Sequence, residues 1–214
     1  MAISILTLEE SGISLASCLD LIKAAFIERE EENLHYPCMD FTLDEYSSEM
    51  SSHQVFVAVD QTNGQNNLVG LTSVELKTEN THKYALEHHS AVSPNVKGQG
   101  IGSLLMSRLV GYARNNDCEY ILATTAERAA RAIAFHKKTG FLIIRSASYP
   151  DTGYYSVVMR KQLQFKSRAD RKWANPVFCK FHYLNSSIRM HVMKNADGTY
   201  SSFGRTVRKL LKRI

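Results

Sequence analysis

The sequence predicts an α/β (α+β) fold: a central mixed, mostly antiparallel sheet flanked by helices, followed by a basic C-terminal extension. Three observations predict it. Residues 55–93 contain three successive strand patterns joined by polar turns, which is an antiparallel arrangement. Residues 83–148 then alternate strand, helix, strand, helix and strand, which requires crossover connections. Finally, the charge changes sign near residue 160.

The first elements follow from hydrophobic periodicity. The segment ISILTL (3–8) is a predicted strand, and residues 14–32 place apolar side chains at helical spacing. A second helix is predicted to begin at Thr42, because Glu45 stands three residues later and completes a capping box. Strands are expected at 55–60, 68–76 and 83–93, with a helix extending from the glycine segment to about Asn116.

The later elements are a strand at 120–126 and a helix at 127–140, which Gly140 closes at a C′-like position. Two further strands, FLIIRSASY and YYSVVMRKQL, complete the core. Beyond residue 163 the pattern weakens: VFCKFHYL and SIRMHVMKN are predicted strands, and GRTVRKLLKRI is a predicted short basic amphipathic helix. We therefore expect a domain over 3–163 and an extension over 164–214.

Composition and charge limit the classes of protein. The chain has 214 residues and a net charge of +5, but residues from Lys161 onward contain 13 Lys and Arg against two acidic residues. No apolar run is long enough to span a membrane, and the N-terminal residues lack the basic start of a secretory signal. The four cysteines are dispersed and form no C-x-x-C pair, so we expect reduced thiols, a cytoplasmic location and no metal site.

Three alternate glycines, Gly98, Gly100 and Gly102, stand between a strand and an apolar-periodic helix. Glycine is a poor helix former, but it permits close approach of a ligand to the backbone. The first helical turn offers unpaired N–H groups and the positive end of the helix dipole, so this arrangement predicts a phosphate-binding turn. The spacing fits neither a P-loop, which needs a lysine after its last glycine, nor a G-x-G-x-x-G dinucleotide fingerprint.

Two motifs carry a resemblance to a known family. Residues 91–114 read AVSPNVKGQGIGSLLMSRLVGYAR, with Val92-Ser93-Pro94 at the strand end and Lys97-Gly98-Gln99-Gly100-Ile101-Gly102 in the turn. This resembles the acetyl-CoA-binding motif of the GNAT N-acyltransferases, Arg/Gln-x-x-Gly-x-Gly/Ala, with Lys97 in place of Arg/Gln. The helix AARAIAFHKKTGF resembles the second GNAT motif, Asn-x-x-Ala-x-x-Phe-Tyr-x-Lys-x-Gly-Phe, with Ala129 replacing Asn and His136 replacing Tyr.

The resemblance covers roughly residues 3–163 and implies an N-acetyltransferase. Such an enzyme moves an acetyl group from acetyl-CoA, its co-substrate, directly to a primary amine of a small molecule or protein. No metal cofactor is implied. The acetyl-CoA-binding residues implied by the two motifs are Ala91, Val92, Lys97, Gly98, Gln99, Gly100, Ile101, Gly102, Ser103, Phe135, His136 and Lys138.

The resemblance also implies a base on the strand that precedes the glycines. That strand contains Glu87, His88 and His89. Side-chain alternation predicts His88 on one face and Glu87 with His89 on the other, and parity with Val92 favours His88 as the base. The alternative is that both histidines are structural.

His136 stands where many relatives have the tyrosine that protonates the leaving thiolate. It is therefore a candidate acid, the alternative being that it only packs against CoA. Tyr154 and Tyr155 are alternative donors, although cross-strand packing is the more ordinary role for them.

The remaining sequence features concern the acceptor amine and the binding partners of the extension. Acidic residues at Glu28 to Glu32, Asp40 and Asp44 favour a cationic acceptor, and residues 35–41 are a candidate substrate-side loop. The extension interleaves aromatic and basic residues, a mixture that suits nucleic acid, an acidic partner or an anionic membrane; a docked segment or homodimer contact is the simpler role. A second function class is therefore a non-catalytic acyl-CoA-binding module whose extension binds a partner. The presence of His136 in place of the usual Tyr retains this class as an alternative.

Overall fold

The computed structural model describes residues 2–31, 34–62, 64–150, 152–166, 168–199, 201–202 and 204–205. Within these residues seven strands form a mixed sheet in the order β1-β2-β3-β4-β5-β7-β6, which confirms the predicted fold class. The strands are β1 (Ile3–Thr7), β2 (Gln54–Asp60), β3 (Asn67–Glu79), β4 (His82–Val92), β5 (Tyr120–Ala126), β6 (Leu142–Ser148) and β7 (Tyr155–Gln162). The helices are α1 (Leu8–Ser11), α2 (Leu15–Glu31), α3 (Leu43–Met50), α4 (Ile101–Asn115), α5 (Ala130–Lys138), α6 (Arg168–Trp173) and α7 (Pro176–Met193).

The chain forms two compact units, Met1–Leu122 and Ala123–Ile214. In the first, β1 to β4 pair antiparallel in sequence order, and the short polar turns predict this pairing for β2, β3 and β4. The start of β5 pairs parallel to β4, with Tyr84 opposite Tyr120, so the chain between them must cross over. Helix α4 forms most of that crossover.

One part of the core of the first unit lies between its sheet and helices α2 and α3. The apolar stripe predicted for α2 is buried there, with Cys18 and Ile22 fully covered, together with Tyr46 from α3 and Val57 and Leu71 from the strands. Each such side chain contributes about 1.5–3 kcal/mol of hydrophobic stabilisation. This packing fixes the position of α3 over the sheet.

Capping boxes start two of these helices. Thr42 accepts a hydrogen bond from the Glu45 N–H while the Glu45 carboxylate accepts from the Thr42 N–H, which confirms the prediction for α3. Thr7 and Glu10 form the same box at α1, a four-residue helix that the sequence analysis did not separate from its surroundings. One turn is too short to show a hydrophobic period, and only its cap identifies it.

In the second unit, β6 pairs antiparallel with β7, and α5 ends at Lys138. Gly140, two residues beyond, has a φ of +91°, which confirms the predicted C′-like position. The two strands predicted over the extension are wrong: those residues form the single helix α7. Its start is specified by Asn175, whose side chain accepts hydrogen bonds from the N–H groups of Val177 and Phe178. The strand prediction followed the β-propensity of Val, Phe, Tyr and Ile, which tertiary packing overrides here.

Helix α7 packs one face on β6. His182 donates Nδ1–H to the Ile144 carbonyl at 2.6 Å, and the Ser186 hydroxyl accepts from the Ser146 N–H at 2.9 Å.

The predicted helix in GRTVRKLLKRI lies, beyond Arg205, outside the described residues. Among the helices of the described chain, none is both long and apolar enough to cross a membrane. All four cysteines are buried and free.

Candidate active site

The glycine segment forms a turn that opens helix α4. After a short 3-10 helix at Pro94–Val96, Gly98 and Gly100 adopt φ values of +82° and +83°. This left-handed backbone conformation is rare for residues other than glycine. A Cβ atom at either glycine would meet nothing within 4 Å, so this side of the turn is open. Gly100 is the N-cap residue of α4, and its bare backbone leaves the helix terminus accessible.

The N–H groups of this terminus divide into two sets. Ser103 and Leu104 donate to the Gly100 carbonyl at 2.9 and 3.1 Å, so the Ser103 N–H is already used. Ile101 and Gly102 lie in the first turn, where a helix provides no intrahelical acceptor for the N–H. Ile101 itself is buried and anchors the turn to the core, while Lys97, Gln99 and the Ser103 side chain are exposed. The terminus can therefore receive an anion through its backbone.

Strand β4 carries a bulge before this turn. Leu71 of β3 pairs with Ala91 and Ser73 pairs with His88, so His89 and Ser90 together stand opposite Thr72. His89 has a φ of +46°, an uncommon conformation for a non-glycine residue. A bulge removes backbone groups from the ladder and redirects the side chains around it.

The bulge overturns the predicted alternation of β4 side chains. His88 and His89 both face Glu49 of α3: His89 donates Nε2–H to Glu49 Oε1 at 2.9 Å, and His88 Nδ1 lies 3.9 Å from the same oxygen. The extra residue shifts His89 to the side where His88 lies, since alternation holds only in a regular strand.

Three side chains, Glu49, His53 and Glu75, surround the imidazole of His88. Glu75 Oε2 lies 3.7 Å from His88 Nε2 and 3.9 Å from His53 Nε2, while the two imidazole rings meet edge to face with centroids 4.5 Å apart. His53 donates Nδ1–H to the Glu49 backbone carbonyl at 2.5 Å. We call Glu49, His53, Glu75 and His88 the His–Glu cluster.

Burial sets the electrostatics of this cluster. It lowers the pKa of His88 to about 4, and repulsion from His53 and His89 acts in the same direction against the attraction of Glu49 and Glu75. The imidazole of His88 is therefore neutral near pH 7. Burial alone would raise the pKa of the Glu49 carboxyl, but the hydrogen bond from His89 and the neighbouring imidazoles hold that pKa below its usual value.

The candidate substrate-side loop reaches His89, the neighbour of His88. Its last residue, Phe41, packs edge to face on the His89 ring with centroids 6.2 Å apart, and Tyr46 of α3 contacts that ring from 5.9 Å. Asp40 is exposed and pairs with His35 at 2.6 Å. Asp44 is exposed, whereas the side chains of Glu28 to Glu32 lie outside the described residues.

Glu87 belongs to a different group of polar side chains. It is buried, and its carboxylate accepts a hydrogen bond from the Ser90 hydroxyl, which also bonds to Thr72 Oγ1 at 2.7 Å. Glu87 and His88 are thus adjacent in sequence but have different partners.

The model of the Acetyltransferase (GNAT) family matches residues 16–141, more than half of the chain, and includes both the β4 bulge and the glycine turn. The chain belongs to the GNAT acetyltransferase family. It is a GNAT-type acyl-CoA N-acyltransferase, and the resemblance carried by the two motifs is confirmed.

Solved structures share this GNAT fold at low sequence identity. A chain of the NatC complex bound to Gag peptide and CoA has a TM-score of 0.62 and 17% identity, covering 77% of this chain and 100% of that one. Arabidopsis thaliana NAA60 in complex with a bisubstrate analogue has a TM-score of 0.58 and 14% identity, covering 76% and 100%. A GNAT acetyltransferase from Elizabethkingia anophelis with acetyl-CoA bound has a TM-score of 0.56 and 16% identity, covering 75% and 98%. A sequence comparison with curated proteins finds no match.

The second unit of this GNAT protein holds the other predicted site residues on α5. His136 is 7% exposed, donates Nδ1–H to the Ala132 carbonyl at 2.8 Å, and packs edge to face against Phe135 and Phe141. Lys138 ends the helix. Of the alternative donors, Tyr155 donates its hydroxyl hydrogen to the Lys194 carbonyl at 2.7 Å, and Tyr154 is buried.

Three members of the His–Glu cluster were missed by the sequence analysis. Glu49, His53 and Glu75 come from α3, the residue before β2, and β3, and no local motif joins them. One signal was available: β3 and β4 are consecutive antiparallel strands, so polar residues such as Glu75 and His88 are expected to meet across them. The approach of α3 is a tertiary contact and has no such signal.

Proposed function

We propose that this chain transfers an acetyl group from acetyl-CoA directly to a primary amine of a small molecule or protein. Residues 3–163 form the catalytic domain and residues 164–214 an extension. A single observation carries the proposal: three features follow one another along β4 and the turn after it. They are the His–Glu cluster at His88, the β4 bulge, and the left-handed glycine turn at the start of α4. Together they supply a proton acceptor, exposed backbone polar groups and an anion site along one strand.

The glycine turn binds the pyrophosphate of acetyl-CoA in this proposal. The N–H groups of the first turn and the helix dipole stabilise the negative charge, and the open side of Gly98 and Gly100 allows the phosphates to approach. Lys97 adds a cation, and Ser103 contributes its hydroxyl because its N–H is already bonded. The acetyl-CoA-binding set is Ala91, Val92, Lys97, Gly98, Gln99, Gly100, Ile101, Gly102, Ser103, Phe135, His136 and Lys138.

The bulge positions the thioester. Backbone N–H groups around His89 and Ser90 that leave the β ladder are available to a carbonyl oxygen, and they polarise it as negative charge develops. A preformed strand backbone does not reorganise during the reaction, which favours the transition state.

His88 accepts the proton of the attacking amine. Its Nε2 atom is buried and makes no hydrogen bond among the described residues, and in this proposal that nitrogen carries the lone pair of the neutral imidazole. Glu87 is the second candidate base, but its carboxylate is bonded to Ser90. We therefore favour His88 over Glu87 as the base.

In this proposal His136 acts as the imidazolium: it gives its Nε2 proton to the leaving thiolate and becomes the neutral imidazole. The bond from Nδ1 to the Ala132 carbonyl fixes the orientation of the ring, as a positioned acid requires. Replacement by Phe, which keeps the ring and removes both nitrogens, separates this role from packing against CoA.

The acceptor side favours a cationic or neutral amine over an acidic one, because two carboxylates, Glu49 and Glu75, lie within 4 Å of the His88 ring. Two structural neighbours were solved with a peptide or a bisubstrate analogue, so peptide amines are the first acceptors to test.

The four free, buried cysteines support a cytoplasmic location.

The extension is proposed to complete the fold of the second unit, because α7 is hydrogen-bonded directly to β6 through His182 and Ser186.

The alternative function is a non-catalytic acyl-CoA-binding module that uses the extension to bind an acidic partner or nucleic acid. This alternative predicts acetyl-CoA binding without turnover. Incubation with acetyl-CoA and a panel of peptides and small amines, with the acetylated product detected by mass, distinguishes the two. Product from any acceptor supports the transferase, and binding without product across the panel contradicts it.

A further inference from the structure

We propose that Glu49, His53 and His88 bind a divalent transition-metal ion of the zinc type, and that the ion inhibits acetyl transfer by occupying His88. The metal site stands on the geometry of the first unit alone. Only the inhibition rests on the proposed function.

The three residues converge from separate elements. Glu49 lies in the last turn of α3, His53 directly precedes β2, and His88 precedes the β4 bulge. One donor atom from each lies within 4.8 Å of the others. Glu49 and His88 belong to α3 and β4, and His53 stands one residue before β2, so all three are tied to elements that pack in the core beneath α3.

Each residue offers an atom whose hydrogen-bonding capacity is unused. Glu49 Oε2, His53 Nε2 and His88 Nε2 are buried and have no hydrogen-bond partner within the described part of the chain. Buried polar atoms are normally paired, because leaving one unpaired costs free energy. In this proposal the three atoms act as acceptors, and a single bound cation satisfies them together.

The orientation of His53 supports metal binding. Its Nδ1–H donates to the Glu49 carbonyl, so Nε2 carries the lone pair, and its side chain is only 4% exposed. Metal-binding histidines are commonly held in this way, with the other ring nitrogen donating to a carbonyl or carboxylate. Glu49 is held similarly, since its Oε1 accepts from His89 while Oε2 remains available.

The donor set selects the kind of ion. Two imidazoles and one carboxylate suit Zn²⁺ and its neighbours, whereas Ca²⁺ and Mg²⁺ prefer all-oxygen sites. Donors on a tetrahedral zinc ion stand about 3.4 Å apart, so small side-chain movements close the site. Glu75 Oε2, within 4 Å of both imidazoles, takes the fourth position or binds a zinc-bound water.

Occupation of His88 has a direct consequence. A lone pair bound to a metal ion cannot accept the proton of an amine, so the ion and the reaction compete for one atom. His53 also lines a cleft of about 620 Å³ between α1, α3 and β2.

The test measures metal binding directly on the full chain after chelator treatment. Zn²⁺ titration by calorimetry and the visible absorption of bound Co²⁺ are compared for wild type, His53→Ala and Glu49→Gln. The matched control is His35→Ala, an exposed histidine outside the cluster. We expect one ion per chain with a four- or five-coordinate Co²⁺ spectrum, and binding roughly 100-fold weaker in both cluster variants but unchanged in the control.

Equal affinity of wild type and a folded cluster variant, or no binding by wild type, would overturn the site. Circular dichroism identifies an unfolded variant, in which case Glu49→Gln, the more conservative change, decides. The inhibition is tested separately: acetyl transfer is measured with and without Zn²⁺, and the product is detected by mass because the CoA thiol itself binds zinc. Zinc should inhibit the wild type reversibly. Zinc binding by a chain without transferase activity would leave the metal site standing and contradict the proposed function instead.

Discussion

The Nε2 atom of His89 lies 2.9 Å from Oε1 of Glu49, and this hydrogen bond joins the β4 bulge to helix α3. The bond holds a histidine that has a positive φ, and it places a carboxylate beside His88. Helix α3 is in turn fixed by its capping box and by buried Tyr46. A contact between one strand and one helix therefore determines where the candidate base sits.

Replacing Glu49 by Ala removes this bond and the charge next to His88. We expect kcat for acetyl transfer to fall at least about tenfold, because positioned catalytic groups lose efficiency when their orientation is lost. The unfolding free energy should fall by about 1 kcal/mol. Steady-state kinetics and chemical denaturation measure the two effects, and Ser48→Ala, an exposed change on the same helix, is the control. A wild-type kcat in Glu49→Ala would contradict the positioning role.

His88→Ala tests the proton acceptor. The variant should lose roughly 10²- to 10⁴-fold in kcat, the usual contribution of general acid–base catalysis, while its affinity for acetyl-CoA stays unchanged. His82→Ala, at the start of the same strand, serves as the control and should retain kcat. Loss of activity through weakened acetyl-CoA binding alone would assign His88 to structure rather than to chemistry.

Gly100→Ala tests the glycine turn. A Cβ at φ +83° costs about 1–2 kcal/mol in stability and stands on the open side of the turn, where the pyrophosphate is proposed to bind. We expect acetyl-CoA affinity to fall about tenfold or more by calorimetry. Gly111→Ala is the matched control within α4: its Cβ meets nothing, so stability should rise by up to about 1 kcal/mol with affinity unchanged. Equal affinities in both variants would place the cofactor elsewhere.

His136→Phe distinguishes an acid from a packing residue. If His136 protonates the thiolate, kcat falls by about 10²-fold while the fold and acetyl-CoA affinity persist, because the ring contacts with Phe135 and Phe141 are kept. A thioester with a better leaving group than CoA should recover part of the lost rate. An unchanged kcat would restrict His136 to packing.

Thr42→Ala measures how the capping box supports the site. Loss of the cap should destabilise the protein by about 1 kcal/mol, a fall in Tm of roughly 2–4 °C for a chain of this size. Thr42→Ser keeps the hydroxyl and should restore most of the difference. Equal Tm values for wild type and Thr42→Ala would show that α3 depends on its core contacts alone.

Local signals predicted the framework of this protein well. The caps at Thr42 and Gly140, the strand periods and the two GNAT motifs each depend on residues close in sequence, and the structure places these elements within a few residues of the predicted bounds. Helix α7 was predicted as strands because its apolar residues favour both states, and its packing on β6 decides between them.

The site was only partly predictable. The glycine turn has a local signature, whereas the His–Glu cluster requires the approach of α3 to the sheet. The bulge at His89 also has no sequence marker, and it overturned the alternation on which the placement of His89 relied. Non-local contacts and backbone irregularities thus account for what the sequence did not predict.

The most direct measurement is a calorimetric titration with acetyl-CoA followed, in the same preparation, by addition of a peptide amine and detection of the acetylated product by mass. We expect one acetyl-CoA per chain, product formation by wild type, and bound acetyl-CoA without product in His88→Ala. Absence of acetyl-CoA binding by the folded wild type would contradict the account of the glycine turn. Undiminished product formation by His88→Ala would contradict the account of the base.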